Sequence, residues 1–382
     1  MSRLRWYPPA ETRIPLKAIL QCMISSKPDV EQIIRHATGS TYCVLGPSGR
    51  ALLFNLIKML SEKHDQQRNE VLLPGYTCYS VAAAAVKAGM KIRFYDLDPQ
   101  TLNPVTDSLE ANCTNKTLAV LSQHLFGIPT EINTIEKIAA EKGAYHIEDA
   151  AQAFGNRHNE KPLGTNGDFG LFSFGRGKML PLGGGGALIS QKYNLGQIWP
   201  PSETSAGWRL LTINMLTQVA AIPLFYPIAE MLPLGLGQTI FAPHFEPGVV
   251  QRALTKLFEP MLKELPKLNA HRQIIAAIYG KNISAQNRIS EPEGSAQAHS
   301  RFPVLAKKGP LAPELIRLGV RRLYPQSLNL EPQINIHSVN PKQRLNGAET
   351  LAQTLITLPT HHSVTKRVAQ AIASRTNEWI SS

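Results

Sequence analysis

Between residues 48 and 190, short β-like runs alternate with helical ones, and this constrains the fold more than any other feature of the chain. Glu70–Pro74, Lys91–Tyr95, Leu118–Ser122 and Ala144–Ile147 read as strands, while Arg50–Lys63, Tyr79–Ala88 and Ile132–Lys142 read as helices. Strands separated by helices of this length build βαβ units, which gives an α/β fold with a mainly parallel sheet between helices. Ligands of such sheets bind outside the carboxyl ends of the strands. The residues at those ends are therefore the first place to look for chemistry.

The pattern changes after about residue 195. The stretch 208–237 is unusually apolar, with no charged residue between Leu210 and Ala229. Its length suggests a membrane span, but Pro223, Pro227 and Pro233 interrupt it and Asn214, Gln218 and Glu230 are polar. A buried or interface-forming helical region is the preferred reading, and a helix lying on a membrane surface is the third. Residues 249–281 read as a long amphipathic helix interrupted by prolines, Arg301–Leu305 as a strand, and 311–318 and 364–374 as helices. The expected organisation is an N-terminal segment 1–40, a large α/β domain 41–205, an apolar insert 206–245 and a small α+β domain 246–382.

Composition narrows the class. With 43% hydrophobic and 18% charged residues the chain is globular, not disordered. Cys22, Cys43, Cys78 and Cys113 are scattered and form no CxxC pair, which speaks against a zinc site or disulfide framework and for a reducing compartment. No continuous apolar stretch follows the first basic residues, so a cytoplasmic protein is expected, with membrane association through 208–237 as an option. The formal charge of +12 suits an anionic partner. The basic residues lie in short runs such as Lys307-Lys308 and Arg321-Arg322, without an arginine-rich arm, so no nucleic acid is expected.

Three segments of the expected large domain carry candidate chemistry. Gly46-Pro-Ser-Gly-Arg-Ala51 opens a helix, where free amides and the helix dipole attract anions, although small residues there also serve as an ordinary N-cap. His146-Ile-Glu-Asp-Ala-Ala-Gln152 puts Asp149 at a strand end, where it can hold a pyridinium nitrogen protonated or simply cap the next turn. Gly167-Asp-Phe-Gly-Leu-Phe-Ser-Phe-Gly-Arg-Gly-Lys178, followed by Gly183–Gly186, offers Ser173 to a phosphate and Lys178 to an aldehyde. A surface lysine in a turn is the alternative, but flanking Phe, Gly and Leu residues make enclosure the better reading.

Together these segments resemble the DegT/StrS-type sugar aminotransferases, a branch of the fold-type I pyridoxal-phosphate (PLP) enzymes. The resemblance also runs through Pro74-Gly-Tyr-Thr77, Asp96-Leu-Asp98-Pro99, His124-Leu-Phe-Gly127 and Leu358-Pro-Thr-His-His362. It implies a seven-stranded, mainly parallel sheet with a smaller C-terminal domain, and pyridoxal 5'-phosphate as cofactor. It assigns Lys178 the Schiff base and the proton shuttle, Asp149 the pyridine nitrogen, and Gln152 the phenolic oxygen. Ser173 and the amides of Gly49 and Arg50 would hold the phosphate, and His124 would lie near the cofactor. The implied reaction moves an amino group from glutamate to a keto-sugar nucleotide for polysaccharide biosynthesis, in a homodimer. Lysine rather than histidine at position 178 favours transamination over sugar dehydration.

The chain departs from the family pattern at three places. Cys78 stands where an aromatic residue usually stacks on the cofactor ring, leaving Tyr76 or Tyr79 for that role. Gly175 replaces a histidine or tyrosine, and His244-Phe-Glu246 replaces an asparagine-aromatic-arginine segment. These departures keep two other readings open: transamination of a non-sugar or membrane-linked ketone, and a non-catalytic regulatory protein.

Overall fold

The alternation becomes a single seven-stranded sheet in the computed structural model, which describes residues 6–10, 14–24, 26–64, 67–196, 198, 203–204, 212, 215–216, 218–224, 226–227, 240–293, 297–306 and 308–382. The strands are β1 (Tyr42–Gly46), β2 (Glu70–Pro74), β3 (Lys91–Tyr95), β4 (Thr117–Gln123), β5 (Tyr145–Asp149), β6 (Phe169–Ser173) and β7 (Gly186–Ser190). Their order across the sheet is β1-β7-β6-β5-β4-β2-β3. From β3 to β6 every neighbouring pair is parallel. Only β7 runs against its neighbours β6 and β1. Every residue of β2 and β4 is buried, as expected when helices cover both faces.

Register sets the active edge. Asp149, the last residue of β5, lies opposite Gln123 at the end of β4 and Leu171 near the end of β6. Ser173 closes β6 opposite Gly186. The expected strand Ala144–Ile147 is displaced by one residue at its start, because the Ala144 amide bonds to the Ala139 carbonyl and closes the preceding helix. It then runs on to Asp149, which places that carboxylate at the sheet edge.

Helices α1 (Leu16–Ile24), α2 (Val30–Thr38), α3 (Gly49–Lys63), α4 (Tyr79–Lys87), α5 (Thr106–Asn112) and α6 (Asn133–Glu141) accompany the sheet. The 31-residue α7 (Arg252–Asn282) then runs unbroken through Pro260 and Pro266. Burial along its length explains this persistence despite the lost amide donors. Leu254, Leu257, Phe258 and Met261 join a cluster with Phe154 and Phe174, whereas Ile275 and Tyr279 join a second core. Truncating Phe258 to alanine would cost about 3–5 kcal/mol on typical core values.

The second core contains an antiparallel pair, β8 (Arg301–Leu305) with β9 (Leu355–Pro359), and the helix α9 (Lys366–Ser381). That last helix starts two residues later than expected, because Thr365 accepts a hydrogen bond from the Val368 amide and caps it. Packing does not follow chain order here. Tyr324, Leu328 and Leu345, with Ala348 and Leu351 of α8 (Asn346–Thr354), return to the large core. At the other end, Tyr7 packs into the small core and its amide donates to the Arg317 carbonyl at 2.7 Å.

Most of the apolar stretch 208–237 lies outside the described residues. No helix among the described residues is long and apolar enough to cross a membrane.

Candidate active site

The site begins with the cap of α3. Ser48 Oγ accepts the Ala51 amide at 3.1 Å, and the Gly49 and Arg50 amides, at the first two helical positions, have no intrahelical acceptor. They sit at the positive end of a 15-residue helix. A side chain on Gly49 would place its Cβ 3.4 Å from Ser173 Cβ, so the helix start and the end of β6 meet. Gly186 makes this meeting possible: a Cβ there would lie 2.7 Å from the Phe172 carbonyl oxygen and 2.8 Å from the Gly49 nitrogen. Two amides, a serine hydroxyl and a glycine strand thus form an anion cradle.

Facing the cradle is Asp149. Its Oδ1 accepts the Ala151 amide at 3.0 Å. Burial pushes its carboxyl above the usual range, opposed by the Lys178 cation, the Ala151 amide and His124. Such a carboxylate benefits from a cationic partner that shares its enclosure. Lys178 follows β6 on a loop that turns through the left-handed Gly177, with φ +72°. Gly49, Arg50, His124, Asp149, Gln152, Ser173 and Lys178 all line one cavity of about 650 Å³. That volume suits a cofactor-sized ligand, for which roughly 300–1,000 Å³ is usual.

The eighth expected residue, Tyr79, is not brought to the cavity wall. Its hydroxyl donates to the Gln326 carbonyl at 3.1 Å and accepts the Gln326 amide at 3.2 Å, which turns it away. Cys78 and Tyr324 line the cavity in its place. Tyr79 supports Tyr324 from behind, with rings stacked at 6.5 Å, and Tyr76 meets Tyr324 edge-on at 5.0 Å. Sequence reasoning missed Tyr324, which lies 146 positions beyond Lys178 in a short basic loop with no local motif.

His124 lines the cavity with both ring nitrogens committed. Its Nδ1 accepts the Thr130 amide at 3.2 Å, so the proton resides on Nε2, which donates to Glu148 at 2.8 Å. Both side chains are fully buried. Burial alone would raise the Glu148 carboxyl, but hydrogen bonds from His124 and the Gly167 amide and the nearby histidines bring it below the usual range. Glu148 also accepts the Asn166 amide at 2.5 Å and the Gly164 amide at 3.2 Å. The pair therefore fixes the strand ends around Asp149. Gln152 joins the two cores: its Oε1 accepts from the Phe126 amide at 3.2 Å and Ser300 Oγ at 3.0 Å.

The segment that departs from the family pattern crosses near the mouth. Ile240 and Ala242 line the cavity, and His244 is exposed. Phe245 is buried, with the Arg50 guanidinium 4.2 Å above its ring. With Arg50, Arg176 and Lys178 against the single carboxylate Asp149, the lining is cationic and suits an anionic ligand. Cradle, buried carboxylate and lysine fit the phosphate, ring nitrogen and aldehyde of PLP.

Comparison with known proteins points the same way. Residues 25–199 match the model of the DegT/DnrJ/EryC1/StrS aminotransferase family. GDP-perosamine synthase of Escherichia coli O157:H7 is 33% identical over 127 residues, 33% of this chain and 35% of that protein. The dTDP-4-dehydro-2,3,6-trideoxy-D-glucose 4-aminotransferase of Saccharopolyspora spinosa is 36% identical over 143 residues, 37% of this chain and 36% of that protein. The matched stretch thus spans about a third of the length of these curated relatives. Over the whole chain, the structure of Helicobacter pylori PseC, an aminotransferase involved in the biosynthesis of pseudoaminic acid, superimposes with a TM-score of 0.74. It covers 99% of this chain and 100% of that one at 16% identity, a likeness of fold. Residues 25–199 thus resemble the DegT/DnrJ/EryC1/StrS aminotransferase family, and the sheet and helices of the chain have the α/β fold of the superimposed aminotransferase structure.

Proposed function

We propose that the protein is a PLP-dependent aminotransferase that carries an amino group from glutamate to a keto-sugar nucleotide. The observation that carries this reading is the convergence of Lys178 and Asp149 on one cavity with the Gly49–Arg50–Ser173 cradle. When bound, PLP supplies an aldehyde for Lys178 and a ring that accepts the electron pair left when a substrate proton departs. Asp149 holds the proton on the ring nitrogen, its own burial favouring a close cationic partner. Lys178 Nζ takes the proton from the amino donor's carbon and returns it during amination of the ketone. Ser173 and the Gly49 and Arg50 amides bind the cofactor phosphate. Arg176, exposed at the cavity edge, faces the acidic substrates. Tyr324 and Cys78 form the wall that the family usually builds from one aromatic residue.

The names of the relatives, a perosamine synthase and a 4-aminotransferase of a dTDP-sugar, support the substrate class. Family resemblance further supports a cytoplasmic homodimer, which sedimentation of the purified protein would test. Incubating the PLP-loaded protein with glutamate and a panel of keto-sugar nucleotides tests the reaction. The expected products are 2-oxoglutarate and an aminated nucleotide, resolved by mass spectrometry. Formation of 2-oxoglutarate without any aminated nucleotide would move the acceptor to another class of ketone. Absence of both products would sink the aminotransferase reading.

A further inference from the structure

The amide of Arg50 belongs to the anion cradle, and its side chain is a second, separate group in the same cavity wall. The residue is half-buried, and its guanidinium lies 4.2 Å above the Phe245 ring. That ring is itself held in place. It is buried, meets Phe54 edge-on at 6.0 Å, and has the Lys87 ammonium 5.0 Å from its centre. A ring quadrupole attracts a cation without neutralising it, so two cations on one ring leave the wall positive.

No acid offsets Arg50. Among the described residues it makes no ion pair. The one titratable group whose charge acts on it is the Cys78 thiol, and burial holds its guanidinium below the usual arginine range. Asp149, the single carboxylate among the described residues of the lining, is engaged by Lys178, the Ala151 amide and His124 instead. An enclosed arginine ordinarily pairs with an anion, to which its planar fork of N–H donors is matched. The wall therefore carries a positioned cation suited to an anionic ligand.

The place of Arg50 on the helix selects which anion. Helical Cα–Cβ bonds tilt toward the N-terminus. A side chain at the second position of α3 thus leans over the end where the Gly49 and Arg50 amides have no intrahelical acceptor. Ser173 adjoins the same end, its Cβ 3.4 Å from a Cβ placed on Gly49. We propose that the Arg50 guanidinium, seated on Phe245, is the cationic ligand of the phosphate group in this cradle. It thereby makes the site selective for the phosphorylated cofactor over pyridoxal. This role rests on the PLP reading of the cavity and adds a charged side chain to it.

Equilibrium titration of the full-length protein with PLP and, separately, with pyridoxal tests it, followed by the imine absorbance in the ~400–430 nm region. Pyridoxal carries the same aldehyde and ring nitrogen without the phosphate. Arg50→Met should bind PLP at least about tenfold more weakly than the wild type and pyridoxal equally well, since only the phosphate loses a charge-assisted donor. Arg50→Lys keeps the charge without the fork and should fall between the two proteins. Phe245→Leu should weaken PLP binding in the wild type and cost nothing further in Arg50→Met, as a contact acting through Arg50 requires. Circular dichroism checks that each variant is folded. An equal loss for PLP and pyridoxal in Arg50→Met would overturn the proposal and leave the aminotransferase reading standing. Unchanged PLP binding would overturn it too, and weaker binding of UDP by the same variant would then assign the guanidinium to a substrate diphosphate. A wild-type protein that forms an imine with neither ligand would overturn the PLP reading and the proposal with it.

Discussion

Arg272, in the middle of α7, donates Nη1 to the Met179 carbonyl at 2.9 Å and Nη2 to the Lys178 carbonyl at 3.4 Å. Its Nη1 also reaches Asn269 Oδ1 at 2.9 Å. Burial lowers its guanidinium to about 10, still cationic at neutral pH. A buried cation bound to the lysine's own backbone holds the candidate Schiff-base lysine in place from outside the cavity.

Replacing Arg272 by methionine keeps the bulk and leaves both carbonyls without this donor. Stability should fall by about 1–3 kcal/mol, the usual cost of unsatisfied buried acceptors. PLP should bind about tenfold more weakly, corresponding to ~1.4 kcal/mol of lost preorganisation. Chemical denaturation and titration with PLP measure the two effects separately. Unchanged PLP affinity would remove Arg272 from the positioning of Lys178.

Two glycines near the cradle should respond in opposite ways. Gly186→Ala drives a Cβ against the Phe172 carbonyl and the Gly49 amide, both backbone atoms. It should cost about 1–3 kcal/mol as an overpacking change and weaken PLP binding by displacing the start of α3. At Gly175 the nearest atom to an added Cβ is Ser173 Oγ at 3.6 Å, and Gly175→Ala should be tolerated. Thermal melting and PLP titration of both variants make the comparison.

The stability of the fold should fall on acidification in a definite window. Burial lowers the His146 imidazole from 6.5 to about 4, against the opposing pull of Glu148 and Asp168. The unfolded chain takes up that proton as the pH falls through about 6.5, and the folded chain does so only near 4. The unfolded state binds more protons between those values, so stability declines as the pH is lowered across them, by roughly 3 kcal/mol from this residue. His146→Gln retains a partner for Ser122 Oγ, which now lies 2.8 Å from His146 Nε2, and does not titrate. Denaturation midpoints measured from pH 7 to 4 should show a shallower slope in the variant. An unchanged slope would assign the acid sensitivity to other groups.

The parallel sheet, and the meeting of seven of the eight expected residues at one cavity, were legible because these residues sit on local patterns. Strand periodicity, the Ser48 cap and the glycine run each act within a few residues of the group they position. The displaced helix and strand ends were fixed by single hydrogen bonds, Ala144 to Ala139 and Val368 to Thr365, which residue patterning does not resolve. Tyr324 and Arg272 were not legible, since each reaches the site through tertiary packing across roughly 100 or more positions of chain. Tyr79 was misplaced for the same reason. Which way an aromatic side chain points at the start of α4 depends on the Gln326 backbone, not on its neighbours in sequence.

On the proposed function, Lys178 and Asp149 make this cavity a PLP site competent for amino transfer. An absorption spectrum of the purified protein with added PLP, before and after excess glutamate, tests it most directly, with Lys178→Ala measured in parallel. A band in the ~400–430 nm region that moves toward ~330 nm on adding glutamate, and that Lys178→Ala lacks, is the predicted result. A wild-type spectrum that merely sums free PLP and protein, or a Lys178→Ala protein with an unchanged band, would contradict the account.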